Sequence, residues 1–541
     1  MKTACTVLLV LGVGIATGCK KRPEPPADPS EASTAPTNVP EPAPLALGKR
    51  GTFTVGKNTT FVLGPIDSTG HIDYVTAIND RLSKGVTTEN NANVAIWNVI
   101  GPNAPGSGKV PNGFFEKMGV TPPPETGDYF IDVKQYAEKT IGAGTSPAAL
   151  DAVREFSARP WTADENTTSS GWLQANAKPL TALREAVKRT HFYNPIIPER
   201  TEKGSNGMHS ALLPTVQVCR ELAAAFAARA MLFLGHGNVN EAWQDVLACH
   251  RLGRLVGHGG TLFEYLASAS IEQIACRAEV AFLDHAKPDA KSLERCLEDL
   301  RALPPRTEVA EHLDYDRFAY LDTVMQINHR GLEYLQTIGG NTQVQDRLAN
   351  FMRETIDWDL ALEAGNVWFD QLSAAARAKG RATRVREFDV FITDIKAMKA
   401  ETMKPDRLNQ LLLGGKEAAQ ARGQIIGDVL AGLLLPAAYK VTDAADRAQQ
   451  GFDTTMVAYA LAWYQRVNGR YPDSLAKLAP TYLSAVPGDL FSGKELIYRP
   501  NAHGFLLYSV GVNGVDDGTH GKDSKPPGDD IIVRIPHLPK P

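Results

Sequence analysis

Side chains able to do chemistry gather at a few places in this sequence. The richest is Gly511 to Asp530, a glycine-rich stretch that contains Asp516, Asp517, Asp523, Asp529 and Asp530. Ca2+ takes six to eight oxygens from carboxylates, carbonyls and water, and such a stretch offers both kinds of protein donor without steric obstruction. The spacing is not that of an EF-hand, and a solvated loop without metal is the competing reading. Cys219, Cys249, Cys276 and Cys296 stand among apolar neighbours with no C-x-x-C or zinc spacing; they read as buried free thiols rather than disulfides. Of His236, His250 and His258, two lie in glycine turns, and H-E-x-x-H is absent. Turn or core histidines are therefore expected. Glu308, Glu311, His312, Asp314 and Asp316 lack the paired Glu-x-x-His of a di-iron bundle and read as a solvated or salt-bridged helix face. G-x-S-x-G, the P-loop and G-x-G-x-x-G do not occur. Ser474-Leu475-Ala476-Lys477 satisfies S-x-x-K without S-D-N or K-T-G, so it marks no acyl-transfer site.

The elements that must position these residues begin with an address. Lys2 is followed by the apolar run Thr6 to Ile15, then by Ala16, Thr17 and Gly18 before Cys19. That pattern is an export signal, and its apolar run is far short of the roughly 20 residues of a membrane-spanning helix. It resembles a bacterial lipoprotein signal, which implies cleavage before Cys19 and lipidation of that residue. Ala16 departs from the Leu more common there, and an ordinary secretory signal is the alternative. Residues 20–50 hold no aromatic side chain, and Pro recurs at 23, 25, 26, 29, 36, 40, 42 and 44. Such a segment cannot bury enough apolar surface to offset the entropy of ordering it. The expectation is a signal over 1–18, a disordered Pro-rich tether over 19–50, and a body held on the cell envelope by acyl chains. With 57 basic against 61 acidic residues the net charge is -4, which lacks the basic face of a nucleic-acid binder.

The 541 residues and 43% hydrophobic content support a body of several parts. Residues 51–200 read as an irregular α+β region. It has β-like runs at Thr52 to Val55 and Thr60 to Leu63, helices at Ile72 to Leu82, Asp151 to Ala158 and Pro179 to Thr190, and Trp97, Trp161 and Trp172 as packing anchors. Residues 201–442 read as an α-helical domain. Its helices span Arg220 to Leu234, Glu241 to Val256 (capped by Asn238 or Asn240), Leu262 to His285 and Ser292 to Leu303. Further helices are expected at Thr307 to Leu335, Thr342 to Phe369, Gln371 to Lys379 and Arg386 to Met403. Ile425 to Tyr439, interrupted by Gly427, Asp428, Gly432 and Pro436, reads as a buried helix rather than a membrane span.

Residues 443–541 are the most legible. A helix ends at Asn468-Gly469; Tyr471-Pro472, Leu475, Leu478, Tyr482-Leu483, Pro487 and Asp489 follow. Then come β-like runs at Glu495 to Arg499, Gly504 to Val510 and Ile531 to Ile535. With Tyr498, Leu507 to Gly514 and Asp529 to Ile531, this order resembles the globular domain of the major pseudopilin of type II secretion systems. The resemblance implies a helix packed on an antiparallel sheet. It also implies Ca2+ bound by Asp516, Asp517, Asp529 and Asp530 with carbonyls from Val510 to Val515. Asn513 departs from an acidic residue common in the family, and the apolar fibre-forming N-terminal helix is missing, which argues against membership of a secretion fibre. The chain as a whole resembles bacterial envelope lipoproteins that carry this tail, on Thr88-Glu89-Asn90-Asn91, Arg159-Pro160-Trp161, Trp172-Leu173, Ala242-Trp243-Gln244-Asp245 and Arg251-Leu252-Gly253.

The expected fold is therefore mainly α, with an irregular N-terminal α+β region and a small pseudopilin-like C-terminal α/β domain. The expected function is a scaffold or binding module rather than an enzyme, anchored to the membrane through Cys19 and able to meet an envelope protein partner. The alternatives are a hydrolase of envelope material, with its site between Gly51 and Pro198, and an accessory factor of a secretion machine.

Overall fold

The computed structural model describes residues 45–48, 51–103, 110–201, 204–331, 334, 355–410, 414–435, 439–521, 524 and 526–537. The signal, Cys19 and most of the tether lie outside these residues, as does Asp523. Strands β1 (Leu45–Gly48) and β2 (Gly51–Phe53) pair antiparallel. Strand structure thus begins before residue 50, where the tether was expected to end. The strand expected at Thr60 to Leu63 is a turn, because hydroxyls bond the main chain locally: Thr60 Oγ1 donates to the Val62 carbonyl at 2.8 Å, and Thr59 to that of Thr54. Threonine side chains that satisfy nearby backbone groups compete with a ladder in this way.

The region to residue 200 is more helical than its sequence suggests. It contains α1 (Tyr74–Leu82), α2 (Ala92–Ile100), α3 (Phe114–Lys117), α4 (Val133–Thr140), α5 (Ser146–Phe156), α6 (Thr167–Ala175) and α7 (Ala177–Ala186). Asp73, Asn91, Asp132 and Asn166 start four of these by accepting from main-chain amides of the first turn, the satisfaction that orphan N–H groups require. Trp97, Trp161 and Trp172 are buried. Trp161 donates to the Ala228 carbonyl at 3.0 Å and so ties this region to the next helix. A two-residue hairpin, β3 (Arg200–Thr201) with β4 (Gly204–Ser205), follows.

Five long helices come next: α8 (Thr215–Gly235), α9 (Val239–Val256), α10 (Leu262–Ala286), α11 (Ala290–Arg301) and α12 (Val309–Arg330). α8 ends before Gly237, whose positive φ of 76° breaks the helix; at its last residue, Gly235, a Cβ would lie 1.9 Å from the Trp161 carbonyl oxygen. Asn238 takes the cap position of α9 without a side-chain bond, whereas Thr261 and Glu264 form a reciprocal capping box on α10. Then come α13 (Trp358–Arg377), α14 (Arg381–Thr402), α15 (Pro405–Gln410), α16 (Gly415–Leu434) and α17 (Tyr439–Asn468). The break expected near residue 370 does not exist, since α13 runs through it, and the helix start expected at Thr342 lies outside the described residues. α16 carries the apolar run that begins at Ile425 and is packed inside the protein. No helix among the described residues is long and apolar enough to cross a membrane.

The tail closes with an antiparallel sheet of order β5-β6-β7, formed by Ile497–Pro500, Phe505–Ser509 and Ile531–Ile535. Leu507 stands opposite Tyr498 on one side and Val533 on the other. The fold is thus mainly α with a small C-terminal α/β region. The apolar clusters cut across the segments read from sequence. One joins α2 to α11, the middle of α17 and the tail sheet; the other joins β2, α1, α12 to α14 and α16.

The second cluster depends on a close helix crossing. A Cβ on Gly427 would sit 2.6 Å from Ala364 Cβ, and one on Gly365 would sit 1.9 Å from the Tyr320 ring. The Tyr320 hydroxyl donates to the carbonyls of Ala361 (2.8 Å) and Gly427 (3.1 Å) and pins α12 against both helices. Gly365→Ala should therefore cost about 1–3 kcal/mol through overpacking. Gly451→Ala, in α17 with nothing within 4 Å of the added methyl, should gain up to about 1 kcal/mol from helix propensity. Urea midpoints of the two variants that move in the same direction would contradict this reading.

Candidate functional site

The acidic loop is folded on its own donors. Asp530 accepts from the amides of Thr519 (2.8 Å) and Asp517 (3.3 Å), while Asp517 accepts from the Asp529 amide (2.7 Å) and the Asn513 side chain (3.0 Å). Asp529 accepts from the Asn513 amide at 2.8 Å and is paired with Arg447 of α17. Asp516 accepts from the Tyr508 hydroxyl (3.1 Å) and the Gly518 amide (3.0 Å). Burial, with the charges of Asp516 and Asp517, pushes the Asp530 carboxyl up. The loop supplies hard oxygen donors of the kind Ca2+ takes. Among the described residues it has no three acidic groups with oxygens within 4.8 Å of one another.

The group that does converge lies in the helical body. His250 of α9 is fully buried between two carboxylates of α10, with Nδ1 3.3 Å from Glu272 and Nε2 3.0 Å from Glu279. Glu272 is further held by Arg254 (2.9 Å) and Arg306 (2.7 Å). Both guanidinium groups lie over the Phe452 ring of α17, at 5.1 and 5.4 Å. Burial opposes charge on His250, but Glu279 and Glu272 outweigh it and hold its pKa up at about 9. Burial also works to raise Glu272, and Arg306, His250 and Arg254 outweigh it, so this carboxyl stays well below its usual range. One turn along, Arg229 of α8 clasps buried Asp245 of α9 through two bonds of 2.6 and 2.7 Å. The Arg229–Asp245 pair and the Glu272 cluster are paired and hydrogen-bonded, the form in which ions survive in a core; the His250–Glu279 approach is a charge pairing without hydrogen-bond alignment.

The four cysteines are free and buried, as expected. His236 and His258 stand in exposed turns; His250 alone of the three is interior. The acidic stretch divides its roles. Glu308 and Glu311 cap α12, Asp314 pairs with Arg81, and His312 turns inward against the Tyr265 ring. Burial pushes Asp316 up to about 7. Lys477 of the S-x-x-K stretch pairs with Asp473 at 2.8 Å while Leu475 and Leu478 are buried.

A ligand-sized cleft of about 420 Å3 opens between α13, α14 and α16, lined by the apolar Leu360, Val367, Trp368 and Met398 and by the polar or charged Glu363, Glu401, Thr402, Arg407, Gln424 and Asp428. Gln424 donates to Asp428 at 3.0 Å, and burial pushes this carboxyl up. The Thr402 hydroxyl lies 2.9 Å from the Met398 carbonyl and 3.4 Å from the Asp428 carboxylate, both acceptors for its proton. No histidine, cysteine or lysine lines the cleft. Sequence reading missed it because its walls come from four helices, which bring together residues from Leu360 to Asp428 that are far apart in the chain.

His312 is held neutral: burial lowers its pKa from 6.5 to about 4, and Nε2 meets Thr307 Oγ1 at 3.2 Å. Below pH ~6.5 the unfolded chain takes up a proton that the folded ring refuses. The stability of the native protein relative to His312→Gln should thus be constant above that pH. It should fall by about 1.4 kcal/mol per pH unit between roughly 6.5 and 4; parallel stability curves would refute this. Comparison with protein-family models, curated proteins and solved structures yields no match to this chain.

Proposed function

We propose that the chain is a binding scaffold of the bacterial cell envelope, tethered to the membrane through lipidated Cys19, that seats an apolar segment of an envelope protein in the cleft between α13, α14 and α16. The observation that carries this reading is the makeup of that cleft. Leu360, Ala364, Val367, Trp368 and Met398 give it apolar walls, and Glu363, Glu401, Thr402, Arg407, Gln424 and Asp428 add hydrogen-bonding and charged groups, a mixture that suits a binding pocket; no histidine, cysteine or lysine lines it. The same helices also carry the exposed apolar side chains Val367, Val390 and Leu433, which suit contact with a partner. The cleft lies apart from residues 51–198, where a hydrolase site was the alternative.

An apolar fluorophore should bind the purified protein and be displaced from the cleft by Val367→Asp. Leu63→Asp, at an exposed apolar residue outside the cleft, should leave binding intact. Equal fluorescence in both variants would remove the cleft from the proposal. The anchor has its own readout: labelling of cells with a fatty acid should mark the native chain and not Cys19→Ser, and label on both would dismiss lipidation at Cys19.

A further inference from the structure

The charges around His250 enclose more than an ion pair. His250, Cys276 and Glu279 each present a ligand atom, all within 4.8 Å of one another and all buried. Glu279 is the anomaly. Both of its carboxylate oxygens are shut from solvent and accept no hydrogen bond; the 3.0 Å approach of His250 Nε2 lacks hydrogen-bond alignment. A buried carboxylate so poorly satisfied is costly, and a cation is the partner that would satisfy it. Cys276 lies one turn before it on α10.

We propose that His250, Cys276 and Glu279 form a Zn2+ site. Imidazole nitrogen, thiolate and carboxylate are the donors zinc takes, at about 2.0–2.3 Å, and a thiolate in the set excludes Ca2+ and Mg2+. The surroundings match such a site as well. A metal-bound histidine commonly gives its other ring nitrogen to a carboxylate that fixes the ring. Here the Nδ1 side of His250 is taken by Glu272, itself clamped by Arg254 and Arg306. A recess of about 10 Å3, with room for about one water, is lined by Glu272, Arg254 and Arg306 on the Nδ1 side of His250. Three protein ligands leave the fourth tetrahedral position to water. Binding is balanced in charge: Zn2+ enters as the Cys276 thiol proton and the proton on His250 leave to solvent.

The test uses the full chain, stripped with a chelator and dialysed. Zn2+ should bind in a one-to-one ratio and raise the melting midpoint, because a ligand of the folded state must stabilise it. Co2+ in its place should give a thiolate-to-metal charge-transfer band. Cys276→Ala should lose that band. Cys249→Ala, whose thiol faces the Ala223 and Ile271 carbonyls, should keep it. Glu272→Gln should weaken the metal about 10–100-fold while keeping the band. Should Cys276→Ala fail to fold by circular dichroism, Glu279→Gln replaces it, with loss of zinc affinity expected. An unchanged midpoint with Zn2+, a Co2+ complex without the thiolate band, or a band that survives Cys276→Ala would each overturn the assignment.

Discussion

Burying charge in a helical core is the constraint on which the rest of this structure depends. α10 carries Glu264, Glu272 and Glu279 into the interior, and an isolated carboxylate there would cost several kcal/mol. Each must be met from another element. Asn194 reaches Glu264 at 2.8 Å, α9 supplies His250 and Arg254, and Arg306 comes from the link before α12. The position of α9 and of the link before α12 against α10 follows from that requirement as much as from apolar packing. Apolar contact tolerates sliding, whereas a guanidinium that pairs one carboxylate at 2.7 Å fixes register.

That requirement also separates what the sequence shows from what it hides. Helix ends were readable where glycines stood at the boundary: the expected end at Leu234 and start at Leu262 fall within one residue of the observed ones. The burial of the four cysteines followed from their apolar neighbours. The N-terminal region was underestimated because its helices are short and begin on Asp and Asn caps inside turn-rich stretches, where local composition speaks for loops. The expected strand at Thr60 failed because alternation alone does not reveal that hydroxyls will bond their own main chain.

The interior polar groups were the hardest to see. Glu272 and Glu279 lie seven residues apart on one helix, among Ala, Ile and Cys, and nothing local distinguishes a paired interior carboxylate from a solvent-facing one. The signal available was the company they keep: α10 is apolar nearly all round, which marks a buried helix, and any carboxylate on such a helix needs a partner. The acidic loop shows the converse. Its carboxylates were conspicuous in the sequence, yet they fold onto the loop's own amides and Arg447, because closely spaced aspartates in a flexible stretch meet backbone donors before they meet one another.

α17 runs for 30 residues without a break. Near its start Asp443 and Asp446 pair with Arg381 and Arg384 of α14, Arg447 holds Asp529 of the tail loop, and Val457 to Leu461 are wholly buried beside α10. One helix is thus at once a flank of the body and the spine of the tail. A shortened gene product ending before it would not be a smaller working protein but one with an open wound along α10. The tail, lifted out alone, would carry the matching apolar stripe into water. The tail and the body are one folding unit along this helix.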